Sequence, residues 1–151
     1  MSNRYLEDRK NKVITENRIE WMYKIREYIV ELNSVLNEYI ISEHLTNEEG
    51  KVMKINILNH IDKIILYLAP VVKQGSKNRS ELDVKLEKVL FNIGDAIKNN
   101  SDMEIVLVNQ RELLSIARIY FKVEWEKVKY EVKENAQDLF DTDKYYKKHY
   151  K

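Results

Sequence analysis

Residues that interrupt helices are nearly absent from this chain of 151 residues, which has three glycines and one proline. They stand at Gly50, Pro70, Gly75 and Gly94, so most of the chain contains nothing that would stop a helix. Apolar residues recur there at steps of three and four, the period of one helix face, and no alternating strand pattern competes. The sequence therefore predicts an all-α fold, and its length favours one domain.

Three pairs of residues have the spacing of a helix start, in which a capping side chain is followed three residues later by an acidic one. The pairs are Thr46 and Glu49, Ser80 and Asp83, and Ser101 and Glu104. Together with the glycines and the proline, they divide the chain into four helices. We place these helices at about residues 3–45, 47–69, 80–99 and 102–141.

The links between these helices are short, which favours antiparallel neighbours. We expect residues 1–141 to form an antiparallel up-down-up-down four-helix bundle with long first and last helices. Residues 142–151 would follow it as a basic, tyrosine-rich C-terminal tail. The predicted core seams are Trp21, Ile25, Tyr28, Leu32, Val35 and Tyr39, widened by Met22, Ile29, Leu36 and Ile40; Ile57, Ile61, Ile64 and Leu68; Leu82, Leu86, Val89, Ile93 and Ile97; and Leu107, Leu114, Ala117, Phe121, Trp125, Val128, Val132 and Leu139.

The first and last predicted helices are about twice as long as the other two, so the four cannot all end together. Residues 3–20 and 126–141 would project as a two-helix stalk or fold back. Trp21 and Trp125 fall at the level where the second helix ends. We expect these two rings either to contact each other or to be buried separately.

Charge and hydropathy exclude several classes of protein. The 26 basic and 25 acidic residues give a net charge of +1, so no overall field attracts the chain to nucleic acid or an acidic membrane. The longest uncharged apolar run, Ile64–Val72, is far shorter than the ~20 residues of a membrane span. The start lacks the apolar region of a signal peptide, and cysteine is absent, so we expect a cytoplasmic protein with no membrane partner.

The usual signatures of catalysis are missing. No Glu stands three residues before His44, His60 or His149, as the Glu-x-x-His ligands of helical di-metal sites require. Gly-rich phosphate loops, G-x-S-x-G elbows and cysteine nucleophiles are absent. We therefore expect no catalytic residue, no cofactor and no metal, and we interpret the chain as a non-enzyme.

An acidic stripe leaves one exception open, a Mg-dependent helical nucleotide hydrolase. A hard cation prefers several oxygen ligands together, and such hydrolases place carboxylates at helical spacing. The alternative is a solvated face that pairs with lysines on the same helix. The stripe consists of Glu131, Glu134, Asp138 and Asp141.

The tail combines lysines, which neutralise phosphates, with tyrosine rings, on which bases can stack. A nucleic-acid-binding accessory protein is therefore the alternative function. The tail would otherwise be a frayed terminus or fold back on the protein. Its candidate nucleic-acid-binding residues are Lys144, Tyr145, Tyr146, Lys147, Lys148 and Tyr150.

Val84 and Phe91 lie seven residues apart in the third predicted helix, on a face different from its core seam. Exposed apolar residues at this spacing are typical of a surface that binds another protein. We therefore take Val84 and Phe91 as candidate partner-binding residues. The alternative is a bundle with a wide core.

Two segments carry tryptophan motifs. Asn17–Arg26 contains Asn-Arg-x-x-Trp, and Lys122–Lys129 contains Glu-Trp-x-x-x-Lys. In this order they resemble segments of uncharacterised helical proteins from low-GC Gram-positive bacteria and their mobile elements. The resemblance implies a helical protein encoded by a phage or another mobile element, and it implies no activity.

The same segments suggest a structural clamp between the first and last helices. Arg18 and Arg26 fall on adjoining turns, and a guanidinium binds a carboxylate of a facing helix in a defined geometry. We expect their carboxylate partners to be Glu124 or Glu126. The clamp residues are Arg18, Trp21, Arg26 and Trp125.

The preferred interpretation is a non-enzymatic helical bundle that acts through protein–protein interaction or self-association. Its expected partner is another protein or a second copy of itself, in a homo-oligomer. This interpretation is based on the lack of catalytic signatures and on the unequal lengths of the predicted helices.

Overall fold

A computed structural model describes residues 2–42, 47–68, 80–134 and 140–151. Over these residues the protein is all-helical, which confirms the predicted fold class. No helix in these ranges combines the length and the apolar character needed to cross a membrane. The helices are α1 (Ser2–Ile41), α2 (Asn47–Leu68), α3 (Glu81–Lys98), α4 (Met103–Glu134) and α5 (Thr142–Tyr150).

Helix α3 begins with the capping box that its sequence predicts. The Ser80 hydroxyl accepts a hydrogen bond from the Asp83 amide at 3.2 Å, and the Asp83 carboxylate accepts one from the Ser80 amide at 3.3 Å. This exchange satisfies two amides that the first turn of the helix leaves without an internal partner. The Thr46 cap predicted for α2 lies outside the described residues.

Helix α3 ends in a turn that leads directly into α4. Asn100 has a positive φ of 52°, a conformation that asparagine tolerates better than most residues. The Asn100 amide donates to the Ile97 carbonyl at 3.3 Å, and the Ser101 amide donates to the Ala96 carbonyl at 2.9 Å. These bonds form a Schellman motif, and α4 begins at Met103, one residue later than predicted.

The fourth helix does not continue to residue 141, as the sequence analysis expected. Helix α4 ends at Glu134, and Asp141 has an extended backbone with φ −89° and ψ 99°. The Asp141 carboxylate accepts a hydrogen bond from the Lys144 amide at 3.1 Å. Asp141 therefore starts a new helix, α5, instead of closing the previous one.

Helix α1 packs against α2 and α4, and α3 packs against the same two helices. The predicted seams of α2 and α3 are buried. The widened seam predicted for α1 is confirmed, because Met22, Ile29 and Leu36 are buried. Trp21, Tyr28, Val35 and Ile40 pack at the edge of the core. The buried apolar residues of α1 are Met22, Ile25, Ile29, Leu32, Leu36 and Tyr39.

The core seam predicted for α4 is confirmed at Ala117 and Val128, which are buried, and Phe121 packs against the core. Leu139 lies outside the described residues. Leu114, Trp125 and Val132 are exposed, although the sequence analysis placed all three in the core. The helix is rotated so that a neighbouring row faces inward. The buried residues of that row are Val106, Gln110, Leu113, Ala117, Tyr120 and Val123.

Helix α5 packs against α3 and α4. Its Tyr146 is buried in the core cluster, where the hydroxyl accepts a hydrogen bond from Lys85 Nζ at 2.9 Å. Asp143 Oδ1 accepts from the Glu81 amide at 2.9 Å, and Lys151 forms an ion pair with the Glu81 carboxylate. The segment predicted as a tail is thus a helix docked at the start of α3.

Candidate interaction groove between α1 and α4

Two polar contacts fix how α1 and α4 lie beside each other. At one end, the buried Gln110 amide donates to Asn33 Oδ1 at 2.9 Å and to Asn37 Oδ1 at 2.6 Å. At the other end, Arg18 forms an ion pair with Glu131, whose side chain is completely buried. These contacts define which residues of the two helices stand at the same level.

The ion pair differs from the predicted clamp in its carboxylate. Arg18 binds Glu131 instead of Glu124 or Glu126. Glu126 is held on its own helix, where its Oε1 accepts hydrogen bonds from Lys122 at 2.9 Å and Lys129 at 2.7 Å. An arginine that crosses to α4 is therefore present, but its carboxylate partner lies five residues beyond Glu126 and seven beyond Glu124.

Glu124 lies near this ion pair and is desolvated. Burial raises the pKa of its carboxyl group above the usual range, and the negative charges of Asp83 and Glu131 act in the same direction. The positive charges of Lys127 and Arg18 oppose this rise in pKa. The carboxyl therefore ionises less readily in the folded protein than in an unfolded chain.

The acidic stripe does not form a metal site in the part of the chain that the structure describes. Glu131 is buried against Arg18, and Asp141 caps α5. Asp138 and the side chain of Glu134 lie outside the described residues. Across the described ranges, no three His, Asp or Glu side chains are placed to hold a metal ion.

The two tryptophans have different neighbours. The Trp21 ring stacks on Tyr67 of α2 with a centroid separation of 6.5 Å, and its indole N–H donates to the Tyr67 carbonyl at 3.2 Å. Trp125 lines a groove on the outer side of the contact between α1 and α4, and 40% of its surface is exposed. Trp21 is therefore part of the α1–α2 contact, while Trp125 presents its ring to the exterior.

The groove, called the aromatic groove below, has a volume of about 250 Å³. Its floor includes the buried Met22, and its rims are formed by aromatic rings and one guanidinium. Among the described residues that line it, only Arg26 carries a charge. The lining residues are Met22, Tyr23, Arg26, Phe121 and Trp125.

Exposed apolar side chains continue the aromatic groove along both helices. Val30 follows Tyr23 by seven residues on α1, and 62% of its surface is exposed. On α4, Leu114 precedes Phe121 by seven residues and Val132 follows Trp125 by seven. Residues seven apart lie on one helix face, so these side chains form a single apolar strip.

Charged residues of opposite sign border this strip. Glu20 and Glu27 flank Tyr23 on α1 at three residues before and four after. Lys122 and Lys129 flank Trp125 on α4 at the same two spacings. The border on α1 is called the acidic edge and comprises Glu16, Glu20, Glu27 and Glu38. The border on α4 is called the basic edge and comprises Arg111, Arg118, Lys122 and Lys129. All eight side chains are exposed.

Arg26 and Trp125, predicted as clamp residues, both line the aromatic groove. Phe121, predicted in the core, lines the groove and also packs against the core. Tyr23 is not among the predicted site residues. Each of the aromatic residues Tyr23 and Trp125 has a charged residue of one sign three positions before it and four positions after it. This pattern predicts that the aromatic residue between the two charges is exposed.

The other predicted site residues lie elsewhere. Val84 and Phe91 are about half exposed on α3, outside the aromatic groove. In α5, Tyr146 is buried and Tyr145 partly buried, whereas Lys144, Lys147 and Lys148 are exposed. The lysines therefore face outward, and the Tyr146 ring is not accessible for stacking on a base.

Comparisons of the chain with models of protein families, with curated proteins and with solved structures find no match.

Proposed function

We propose that the chain is a non-catalytic protein-interaction module that binds an amphipathic helix in the aromatic groove. The observation that carries this proposal is the exposed Trp125 beside Phe121, Tyr23 and Met22. Large aromatic residues in a concave apolar setting dominate the energetics of protein interfaces. A solvated tryptophan in such a place is stabilised when a partner covers it.

The shape and spacing of the surface support a helical partner. The apolar strip on α4 runs from Leu114 to Val132, which corresponds to about 27 Å at 1.5 Å per residue. Helix-in-groove recognition uses anchors that recur every three, four and seven residues. The strip has that repeat, so a partner helix of about five turns would match its length.

We also propose the finer architecture of the module, an antiparallel up-down-up-down four-helix bundle with α1 and α4 as its long helices. Two sets of contacts support it. Ser42 of α1 contacts Met53 of α2, while Tyr28 contacts Tyr67, so partner numbers rise as the α1 numbers fall. The contacts between α1 and α4 behave in the same way.

We also propose a cytoplasmic location, which is supported by the absence of cysteine.

The test uses Trp125 as the reporter. In a Trp21→Phe background, Trp125 is the only tryptophan. The probe is a designed peptide of about 18 residues with leucine every three or four positions and glutamine elsewhere, so that it carries an apolar helix face and no charge. At protein concentrations at which the chain is a monomer, we expect a saturable blue shift of the Trp125 emission, because the peptide removes the ring from water.

Matched variants locate the binding. Leu114→Ser in the apolar strip should weaken binding of the peptide, whereas Leu66→Ser, which alters an equally apolar and more exposed leucine on α2, should leave it unchanged. Equal effects of the two variants, or no spectral shift at any peptide concentration, would refute the proposed function.

A further inference from the structure

We infer that the surface around the aromatic groove is the interface of a parallel homodimer, in which the acidic edge of each copy faces the basic edge of the other. This inference rests on the proposed function, because it names a second copy of the chain as the occupant of the groove. Charge complementarity within the chain itself is the argument for that occupant.

Residues of the acidic edge on α1 lie at the same positions along the groove as residues of the basic edge on α4. The contacts of Arg18 with Glu131 and of Asn37 with Gln110 set the register of α1 against α4. This register places Glu27 at the level of Arg118 and Lys122, and it places Glu20 at the level of Lys129. Each acidic side chain thus stands across the groove from a basic one.

Within one chain these opposite charges are separated by the width of the apolar strip. Among the described residues, Glu20, Glu27 and Arg118 form no ion pair. Lys122 and Lys129 share the single carboxylate of Glu126, which leaves the three side chains with one net positive charge. The surface therefore holds charges of both signs that a suitably placed partner can neutralise.

A twofold axis that runs along the groove provides such a partner. Rotation about this axis keeps every residue at its level and lays α1 of one copy over α4 of the other. Glu27 then faces Arg118 and Lys122 of the partner copy, and the symmetry produces the same contacts twice. The apolar strips of the two copies meet between the edges, with the Trp125 rings near the centre.

The alternative twofold arrangement is disfavoured by the same charges. An axis across the groove would lay α1 on α1 and α4 on α4. The acidic edges would then face each other, as would the basic edges, and like charges in contact destabilise an interface. The pattern of charges therefore selects the parallel dimer, and the aromatic groove supplies its apolar centre.

The experiment measures mass by light scattering and the dissociation constant by sedimentation equilibrium, using the full chain. We expect a dimer of twice 18.2 kDa. Glu27→Lys places a lysine against Arg118 and Lys122 of the other copy, and Arg118→Glu places a glutamate against Glu27. Each variant alone should weaken dimerisation about tenfold or more, because the repulsive contact occurs twice.

Mixing the two variants is the decisive step. In a mixed dimer, the lysine at position 27 of one copy faces the glutamate at position 118 of the other, and the second edge retains the native pair. We expect the mixture, and the double variant alone, to dimerise much more tightly than either single variant, because one of the two residues that face the lysine at position 27 is then acidic. An arrangement with α1 on α1 would give no recovery, because positions 27 and 118 would not meet.

Controls on other faces keep the result specific. Lys88→Glu and Asp62→Lys make comparable charge changes at exposed positions of α3 and α2, and both should dimerise normally. A monomeric native chain, a dimer insensitive to the changes at positions 27 and 118, or singles without recovery on mixing would each overturn the inference. A monomer that still binds the uncharged peptide would overturn only the homodimer and leave the proposed function standing.

Discussion

Glu124 is a residue at which burial and charge have opposing effects. Desolvation raises the pKa of its carboxyl group, while Lys127 and Arg18 act to lower it. The net result is a raised pKa. The native protein therefore binds a proton at this site more tightly than the unfolded chain does, so ionisation of Glu124 reduces the free energy of unfolding as the pH rises.

We expect Glu124→Gln to be more stable than the parent protein at neutral pH and to lose that advantage in acid. The stability contributed by the protonated carboxyl is complete below its unfolded pKa, about 4.3, and is lost as the pH rises through the higher folded value. Thermal unfolding followed by circular dichroism between about pH 4 and 7 measures the difference in midpoint. Carboxylates with a lowered pKa, such as Glu126, are present in both proteins and cancel from it. A difference that does not grow with pH would contradict the assignment.

Arg18 and Arg26 stand about two turns apart on α1 and have different surroundings. Arg18 pairs with a completely buried carboxylate, whereas Arg26 lies exposed at the aromatic groove. We expect Arg18→Ala to lower the free energy of unfolding by about 3 kcal/mol, because Glu131 then loses its guanidinium while remaining buried. Arg26→Ala should change stability by less than about 0.5 kcal/mol. Urea unfolding measures both variants, and equal losses would show that the ion pair is not the distinguishing contact.

At the scale of the helix, the sequence is informative wherever the signal is local. The Ser80 box and the seams of α2 and α3 depend on residues three or four apart, and they are found where they are expected. The rotation of α4 is not local. Gln110 is buried, and Asn33 and Asn37 of α1 accept hydrogen bonds from its amide. No pattern within the α4 sequence predicts these contacts with another helix.

The candidate site was half predictable for the same reason. Trp125 stands out as a large ring in an otherwise charged segment, and its sequence context predicts a residue of the clamp and of the core. Its apolar character, however, suggested the core, because periodicity does not distinguish a stripe that packs from a parallel stripe that remains exposed. The charges three residues before and four after it do make that distinction, since they require solvent or an opposite charge beside the ring.

Gly94 is the glycine inside α3, where its backbone freedom serves no turn. A Cβ at this position would lie 3.8 Å from Leu58 Cδ2 and 3.9 Å from Ile61 Cδ1, which are ordinary contact distances. Alanine favours a helix interior over glycine by up to about 1 kcal/mol. We therefore expect Gly94→Ala to raise the thermal midpoint.

Gly50→Ala is the matched control. Gly50 lies near the start of α2, and an added Cβ would have nothing within 4 Å, so this variant should show the gain in helix propensity without added packing. A lower midpoint for Gly94→Ala would show that α2 and α3 approach more closely than these distances indicate.

Across the whole molecule, the C-terminal helix joins elements that are distant in sequence. Helix α5 contacts the start of α3 through Glu81 and Lys85 and reaches the core through Tyr146. An isolated helix of nine residues is unstable in water, so its order depends on these contacts. The most basic segment of the chain is thereby fixed in place, with its lysines on the outside.

Tyr146 is the contact on which this docking chiefly depends, because its ring is buried and its hydroxyl is bonded to Lys85. We expect Tyr146→Ala to release α5, with amide hydrogen exchange in residues 142–150 accelerated to nearly the unfolded rate and the midpoint of global unfolding lowered. Tyr150→Ala removes the same side chain one turn later, where 39% of it is exposed, and should cause a much smaller change. Tyr146→Phe should retain the docking and lose only the hydroxyl contact, about 1 kcal/mol.

The release of α5 in the Tyr146→Ala protein should be local. We therefore expect the amides in the middle of α3 to remain protected from exchange while those of α5 lose their protection. Unchanged protection of α5 in that variant would mean that the ion pair of Lys151 with Glu81 and the Asp143 hydrogen bond are sufficient to hold the helix.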